Sequence, residues 1–495
     1  MADKLIIDSR SGGTDVIEAN WGPYYTGTQN GVHLSVDGAS DLWKAVTTDG
    51  GSNFTTTEIV AATIRNLNVF PDMGVPGDSG TLLHAAYLDF VESDLKYINV
   101  ATDGTVGTLR DVDSTLTVNT NSNLNKIAIT KTVSGNIIII GQTQTESFGY
   151  VSADNFATAG TAINDPYDTI ADEDHLYLFP ANTSDNDDCC ALFWDRSGNE
   201  LKLFMYDAGT NTWDGGTSIA TSMIDDNRRG MCGAVRHSDG HLIVVAHTDS
   251  DSAGDDLKCW DINPGDTITI TAKTNIKTAI AECGDINIAI NQQTDDIYVN
   301  YYYGTTWQAD VDMYYSKSTD GGATWGTEVQ FNEDASGDFR FSGGPMSITD
   351  AGGRYQPAYY NDDTLEIYTN LTDVEIPAAS GGASLDADSI SSASTVGTPS
   401  LTKGFAGTSD SISSASTVGT PSLTKGFAGT SDSISSASTV GTPSLTKGFA
   451  GTPDSISSAS TVGTPSLQEN YQLAANSISS ASTVGNPSTG GALGP

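Results

Sequence analysis

Arginine is scarce in this chain of 495 residues, and three of its nine arginines, Arg65, Arg229 and Arg340, fall between successive strand-rich units. A planar guanidinium binds a carboxylate bidentately, so arginines meeting on one rim could grip an acidic ligand. Carboxylates are abundant: 62 acidic against 22 basic residues leave a net charge of -40. Two carboxylates could serve a retaining or inverting glycoside hydrolase, but in so acidic a chain pairs arise everywhere and spacing selects none. The knots Asp185-Asn-Asp187-Asp188, Asp172-Glu-Asp174 and Asp249-Ser-Asp251 through Asp255-Asp256 offer oxygen ligands suited to Ca²⁺. None has the EF-hand spacing; solvated acidic loops are the preferred reading, the metal content stays unassigned, and no cofactor is required. Tyr301-Tyr302-Tyr303 with Trp307, and Tyr359-Tyr360, could stack on sugar rings, although strand alternation places half of each cluster in the core. Cys189, Cys190, Cys232, Cys259 and Cys283 are odd in number and lack C-x2-C spacing, so buried reduced thiols are expected rather than disulfides or zinc.

The same charge excludes the positive field that holds nucleic-acid phosphates. The N-terminus MADKLIIDSR contains no export leader, and no stretch approaches the ~18 apolar residues that span a bilayer. Neither a signal peptide nor membrane insertion is therefore expected. With 37% hydrophobic residues, 52 glycines and abundant Ser, Thr and Asn, the composition favours short strands and turns over helices.

Those strands recur. Asp49, Asp103, Asp154, Asp207, Asp261, Asp320 and Asp373 each follow a short apolar or aromatic strand, at separations of 51 to 59 residues. A second apolar strand, such as NIIIIGQ at 136–142 or HLIVVAH at 241–247, precedes most of them. A unit of about 50 residues with four short strands cannot bury both faces of its own sheet, so the units must stack and close radially. The prediction is an all-β, seven-bladed propeller over residues 1–376, with six blades as the alternative. The segment KLIID at 4–8 could supply the strand that the last blade lacks.

Two local patterns are sharper: Ser318-Thr-Asp320-Gly-Gly322-Ala-Thr324-Trp325 and Thr47-Thr-Asp49-Gly-Gly51-Ser-Asn53-Phe54. Both resemble the Asp-box, or BNR repeat, of sialidases and other propellers, in which Ser/Thr and Asp bond local backbone and an aromatic wedges against a neighbour. The segment from Asp207 to Trp213 is one residue longer, while Asp103, Asp154, Asp261 and Asp373 retain only the strand and the acid. Resemblance to sialidases would imply an arginine triad, an acid/base Asp and a Tyr nucleophile; by that analogy alone Arg65, Arg229 and Arg340, Asp72 and Tyr355 are nominated. The family's Arg-Ile-Pro signature is absent. The box is a peripheral fold element, so a non-catalytic chain is the expectation, with a glycoside hydrolase as the alternative.

After a linker at 377–387, residues 388–495 carry five 22-residue Ser/Thr/Gly-rich repeats, beginning at Asp388, Asp410, Asp432, Asp454 and, in degenerate form, Asn476. Each copy holds too few large apolar groups to fold alone, so a β-rich or extended stack is expected. The kernel around Ile390, Gly397, Pro399 and Leu401 resembles serial repeats of phage structural and fibre proteins. That resemblance implies a virion appendage or decoration protein, a tail or head fibre assembled in the host cytoplasm and displayed on the particle. Its partners would be other virion proteins and a host surface glycan or protein, with homotrimers common in such fibres. The remaining alternative is a structural filament subunit.

Overall fold

A computed structural model describes residues 3–7, 17–19, 22–26, 29–78, 80–120, 125–143, 145–166, 175–195, 198–224, 230–249, 256–280, 282–306, 309–332, 339–348, 355–361, 364, 366–370, 387–394, 400–416, 422–438, 444–460, 466–472, 477–482 and 488–493. The chain divides into two compact units, Met1–Ala378 and Ala379–Pro495.

The first unit is a seven-bladed β-propeller. Period-two alternation creates its strands: in the third blade Ile137 and Ile139 enter one buried cluster, while Ile138 and Ile140 enter another. Both faces of each sheet are thus covered by neighbouring blades, which is why these strands read as apolar runs. Antiparallel sheets start with Tyr24–Thr26, Ile64–Pro71, Lys126–Lys131, His175–Pro180, Met231–Val235, Glu282–Asn291 and Phe339–Gly343. First strands of successive blades touch, from Ile64–Pro71 round to Phe339–Gly343, and so form the inner ring. Among the described residues there is no α-helix, only a 3₁₀ turn at Asp72–Gly74.

The seventh blade takes its outermost strand from the N-terminal region. Lys4–Ile7 pairs antiparallel with Glu366–Thr369, with Lys4 opposite Thr369 and Ile7 opposite Ile367. Ile6 and Ile7 are buried there, and Phe54 and Trp43 of the first blade pack against the same cluster. Two short strands pair on the axial side of the inner ring: Ile17–Ala19 runs parallel to Ile64–Pro71, and Ser347–Ile348 parallel to Glu282–Asn291. The middle of the propeller is therefore occupied by its own chain.

The second unit is one parallel sheet in which each strand pairs with its copy 22 residues on. Ile412 faces Ile434, Leu423 faces Leu445 and Phe405 faces Phe427. The strands Ser400–Ser416 and Ser422–Ser438 each have 17 residues. Fully extended, such a strand would span ~56 Å at about 3.3 Å per residue, whereas the five connecting residues reach at most ~18 Å. Each strand must therefore bend back on itself, and the ladder has one break per strand, at Asp410 and Asp432. The repeats form coils stacked in register. Deleting residues 432–453, one whole period, should leave a folded tail shorter by one strand spacing, ~4.8 Å; deleting half a period should abolish the ladder. Small-angle scattering with far-ultraviolet circular dichroism distinguishes the two.

Candidate functional site

Three hairpins share one hydrogen-bond pattern. Thr47, Ser152 and Ser318 each donate a hydroxyl to the Asp two residues on, Asp49, Asp154 and Asp320, at 2.9 Å in every case. The same hydroxyls accept the backbone N–H of Gly51, Phe156 and Gly322 at 2.9, 2.8 and 2.9 Å. Each Asp then accepts the backbone N–H of Asn53, Thr158 or Thr324. The side chains of those last residues donate to it as well and hold all three carboxyls below their ordinary range. The hairpin at Asp154 escapes the sequence pattern because Asn155 and Phe156, at φ 55° and 56°, stand where the others have Gly-Gly. Phe156 compensates by packing against Tyr97 of the preceding blade, ring centroids 5.2 Å apart. Ser at the start and Thr six residues later were the available signal. Ser152→Ala should cost about 1–2 kcal/mol through the unsatisfied N–H groups, read by urea denaturation.

Elsewhere the recurrent acid does other work. Asp103 accepts from Thr105, at 2.8 Å, and Asp207 from Thr210, at 3.1 Å. Asp373 lies outside the described residues. The aromatics reach sideways: Trp213 donates its indole N–H to the Asn164 carbonyl and Trp325 to the Thr274 carbonyl, each on the preceding blade. Asp261 sits within the strand Asp256–Asn263 and accepts from His241 at 2.6 Å, Arg236 at 3.0 Å and Lys273 at 3.2 Å. Burial raises its pKa, but His241 and Arg236 more than offset this and hold it low.

The residues nominated for chemistry do not converge. Arg65 and Arg340 are the second residues of their inner strands and lie at one rim. Arg65 is occupied with Ser40, the Ile64 carbonyl and the Phe90 ring. Asp72 follows the far end of Ile64–Pro71, ~23 Å along the strand from Arg65 at about 3.3 Å per residue. Tyr355 precedes Ala358, which pairs with Gly343 at the end of its inner strand. It is fully buried, stacked on Tyr298 at 4.4 Å with its hydroxyl directed to Asn300. Arg229 and Trp307 lie outside the described residues. At the rim of Asp72 and Tyr355 the chain crosses the ring: the half-buried His237 imidazole, pushed by burial down to about 4, bonds the Gly74 backbone, and Met346 Sδ stands 3.3 Å from where a Gly74 Cβ would be.

Asp72 belongs to a buried ion cluster instead. His84 Nε2 lies 2.8 Å and Lys131 Nζ 2.5 Å from Asp72 Oδ1, while His84 Nδ1 meets the Tyr97 hydroxyl at 2.7 Å. Burial pushes the Asp72 carboxyl up, yet His84 and Lys131 outweigh it and hold it at about 2. Such a group is a poor proton donor near neutrality. The Asp185–Asp188 knot is likewise engaged: Asp187 receives the Asn136 amide, and Asp188 receives Thr183 and the Ala208 N–H. Asp172–Asp174 and residues 251–255 lie outside the described residues; among the described ones no metal-ligating group of three is found. Tyr301, Tyr302, Tyr359 and Tyr360 are buried, and the five cysteines are free and buried.

A cavity of about 240 Å³ lies between the fourth and fifth blades, lined by Trp260, Ile219, Lys258, Lys273 and Asn275 among others. A bulge borders it. The N–H of Lys273 bonds the Cys259 carbonyl and that of Ile276 bonds the Leu257 carbonyl, with Leu257 bridged to Lys277. Lys258 thus faces three residues, 274–276, and the outer strand is thrown outward. The hairpin of the sixth blade fixes the bulge: Thr274 donates its N–H to Gly322 and its hydroxyl to Ala323, and accepts from Trp325.

No family model matches this chain. No curated protein matches it either. Among solved structures it is similar to AofleA from Arthrobotrys oligospora, with 9% identity, a TM-score of 0.42, and 74% of this chain and 93% of that chain covered. A fungal lectin from Aleuria aurantia, described as a six-bladed β-propeller with a fucose recognition mode, gives 10% identity and a TM-score of 0.38, covering 63% and 95%. The Hadza microbial sialidase Hz136 gives 14% and 0.37, covering 68% and 74%. The seven-bladed ring is defined by its own strand pairing, independently of these likenesses.

The sequence singles out none of Trp260, Lys258, Lys273 and Asn275. Nothing local distinguishes them, because the bulge depends on a hairpin some 50 residues further along the chain.

Proposed function

We propose that this chain is a non-catalytic glycan-binding propeller followed in the chain by a serial-repeat unit, serving as a virion appendage of tail- or head-fibre type. The observation that carries the non-catalytic reading is the filled middle of the ring, with Arg65 and Arg340 at one rim and Asp72 and Tyr355 at the other. A hydrolase needs its acid, nucleophile and substrate grip within a few ångströms of one bond. On this reading the hairpins at Asp49, Asp154 and Asp320 are Asp-boxes acting as inter-blade fasteners, and no cofactor is needed. The in-register coils form a regular repeat unit that docks to other virion proteins or pairs with further copies, while the propeller contacts a host surface glycan. No helix among the described residues is long and apolar enough to cross a membrane. A glycan array followed by product analysis tests the proposal: retention of intact ligand is expected. Release of sugar that disappears in Arg65→Ala or Arg340→Ala would overturn it in favour of a glycosidase.

A further inference from the structure

The geometry points to the bulge cavity between the fourth and fifth blades as a site for a single acidic sugar unit, of the uronate class. The proposal rests on the glycan-binding reading and narrows it to one place and one chemistry. At about 240 Å³ the cavity falls below the ~300–1,000 Å³ of drug-sized sites, so it suits one ring rather than an oligosaccharide. Trp260, 6% exposed, belongs to its lining and supplies an apolar wall of the kind that packs against the C–H side of a sugar. The walls bring polar donors from the strand and the bulge: Lys258, Lys273 and Asn275.

Charge selects the ligand. The chain has 22 basic residues and a net charge of -40, so two lysines on one small cavity mark a departure from its prevailing field. The nearby carboxylates are already engaged. Asp261 is shared by Arg236, His241 and Lys273, and Asp239 is held by Arg236 at 2.5 Å. Asp256 receives the Asn275 amide at 2.7 Å and the Ala279 N–H at 2.9 Å. An ammonium has three donors, and Lys273 meets Asp261 at 3.2 Å, so it can serve an incoming carboxylate as well. A partly enclosed cleft with cationic walls strengthens that attraction over its value in open solvent.

The test titrates the full-length protein with D-glucuronate and with D-glucose, which differ only in the carboxylate, by calorimetry and saturation-transfer NMR. Glucuronate is expected to bind at least tenfold more tightly than glucose. Lys273→Ala and the volume-preserving Lys258→Met are each expected to weaken glucuronate at least tenfold while retaining the parent's circular dichroism. Equal affinity for the two sugars, binding of neither, or glucuronate binding indifferent to both substitutions would overturn the assignment. An array that retains neutral glycans unaffected by these substitutions sinks this site and leaves the glycan-binding reading standing. Glucuronate bound in the cavity with an empty array does the reverse.

Discussion

Ile7→Ala, combined with Ile6→Ala, is expected to destabilise the propeller more than any other small substitution considered. Each isoleucine is at least 96% buried, at 2% and 4% exposure. Truncating one such side chain costs roughly 2–5 kcal/mol, against a total stability of about 5–15 kcal/mol for an ordinary domain. The loss is amplified by position. These residues belong to Lys4–Ile7, the outermost strand of the seventh blade, and they also carry the packing of Phe54 and Trp43 from the first blade. Weakening them exposes Glu366–Thr369 as an open edge and loosens the contact that joins the last blade to the first. A urea midpoint well below the parent's, with concentration-dependent association on gel filtration, is the expected result. An unchanged midpoint would mean that the ring does not depend on this closure.

Asp72→Asn should give the second large effect. The side chain stays the same size, but Lys131 and the His84 ring lose the anion between them in a site where Asp72 is 3% exposed. Removing one partner of a buried pair costs about 3–5 kcal/mol; because Lys131 keeps Asp78 at 2.7 Å, the lower end is expected here. The acid dependence follows from the same group. Its folded pKa of about 2 lies below the ordinary 3.8, so its contribution is complete above about pH 4 and is lost as pH falls through 2. The shift corresponds to about 2 kcal/mol. Urea midpoints measured from pH 5 to pH 2 should fall steeply in the parent and less steeply in Asp72→Asn. Parallel curves would show that another carboxylate governs acid unfolding.

Both effects bear on the proposed binding surface, because the blades would carry it only while they stay in register. The Asp72 cluster joins the second blade to Lys131 of the third, and the hairpin at Asp154 joins the third back to Tyr97 of the second. The same arrangement recurs where Trp325 and Gly322 hold the bulge of the fifth blade. Inter-blade fastening and cavity shape are thus properties of the same hairpins. Weakening one at Ser318 should soften the cavity without touching a lining residue.

The sequence by itself determined the features whose causes lie within a few residues. Alternating apolar runs made the strands, the near-constant interval between strand-borne acids set seven blades, and KLIID supplied a strand where the last blade needed one. The hydroxyl–Asp hairpins at Asp49 and Asp320 are bonded within six residues, so contiguous sequence displays them. Identical 22-residue copies align Ile with Ile and Phe with Phe because that register alone repeats every contact. Only the tertiary structure decided the rest. Phe156 can hold the positive φ that its hairpin requires because Tyr97, from another blade, packs against it. Asp72 is an ion-pair partner because Lys131 arrives from 59 residues away, and Asp261 leaves the hairpin pattern because Arg236 and His241 surround it. The cavity beside Trp260 is bordered by a bulge that a hairpin from the sixth blade holds through Thr274. Such long-range pairings cost chain entropy that only the closed ring repays, so no local window of sequence reveals them.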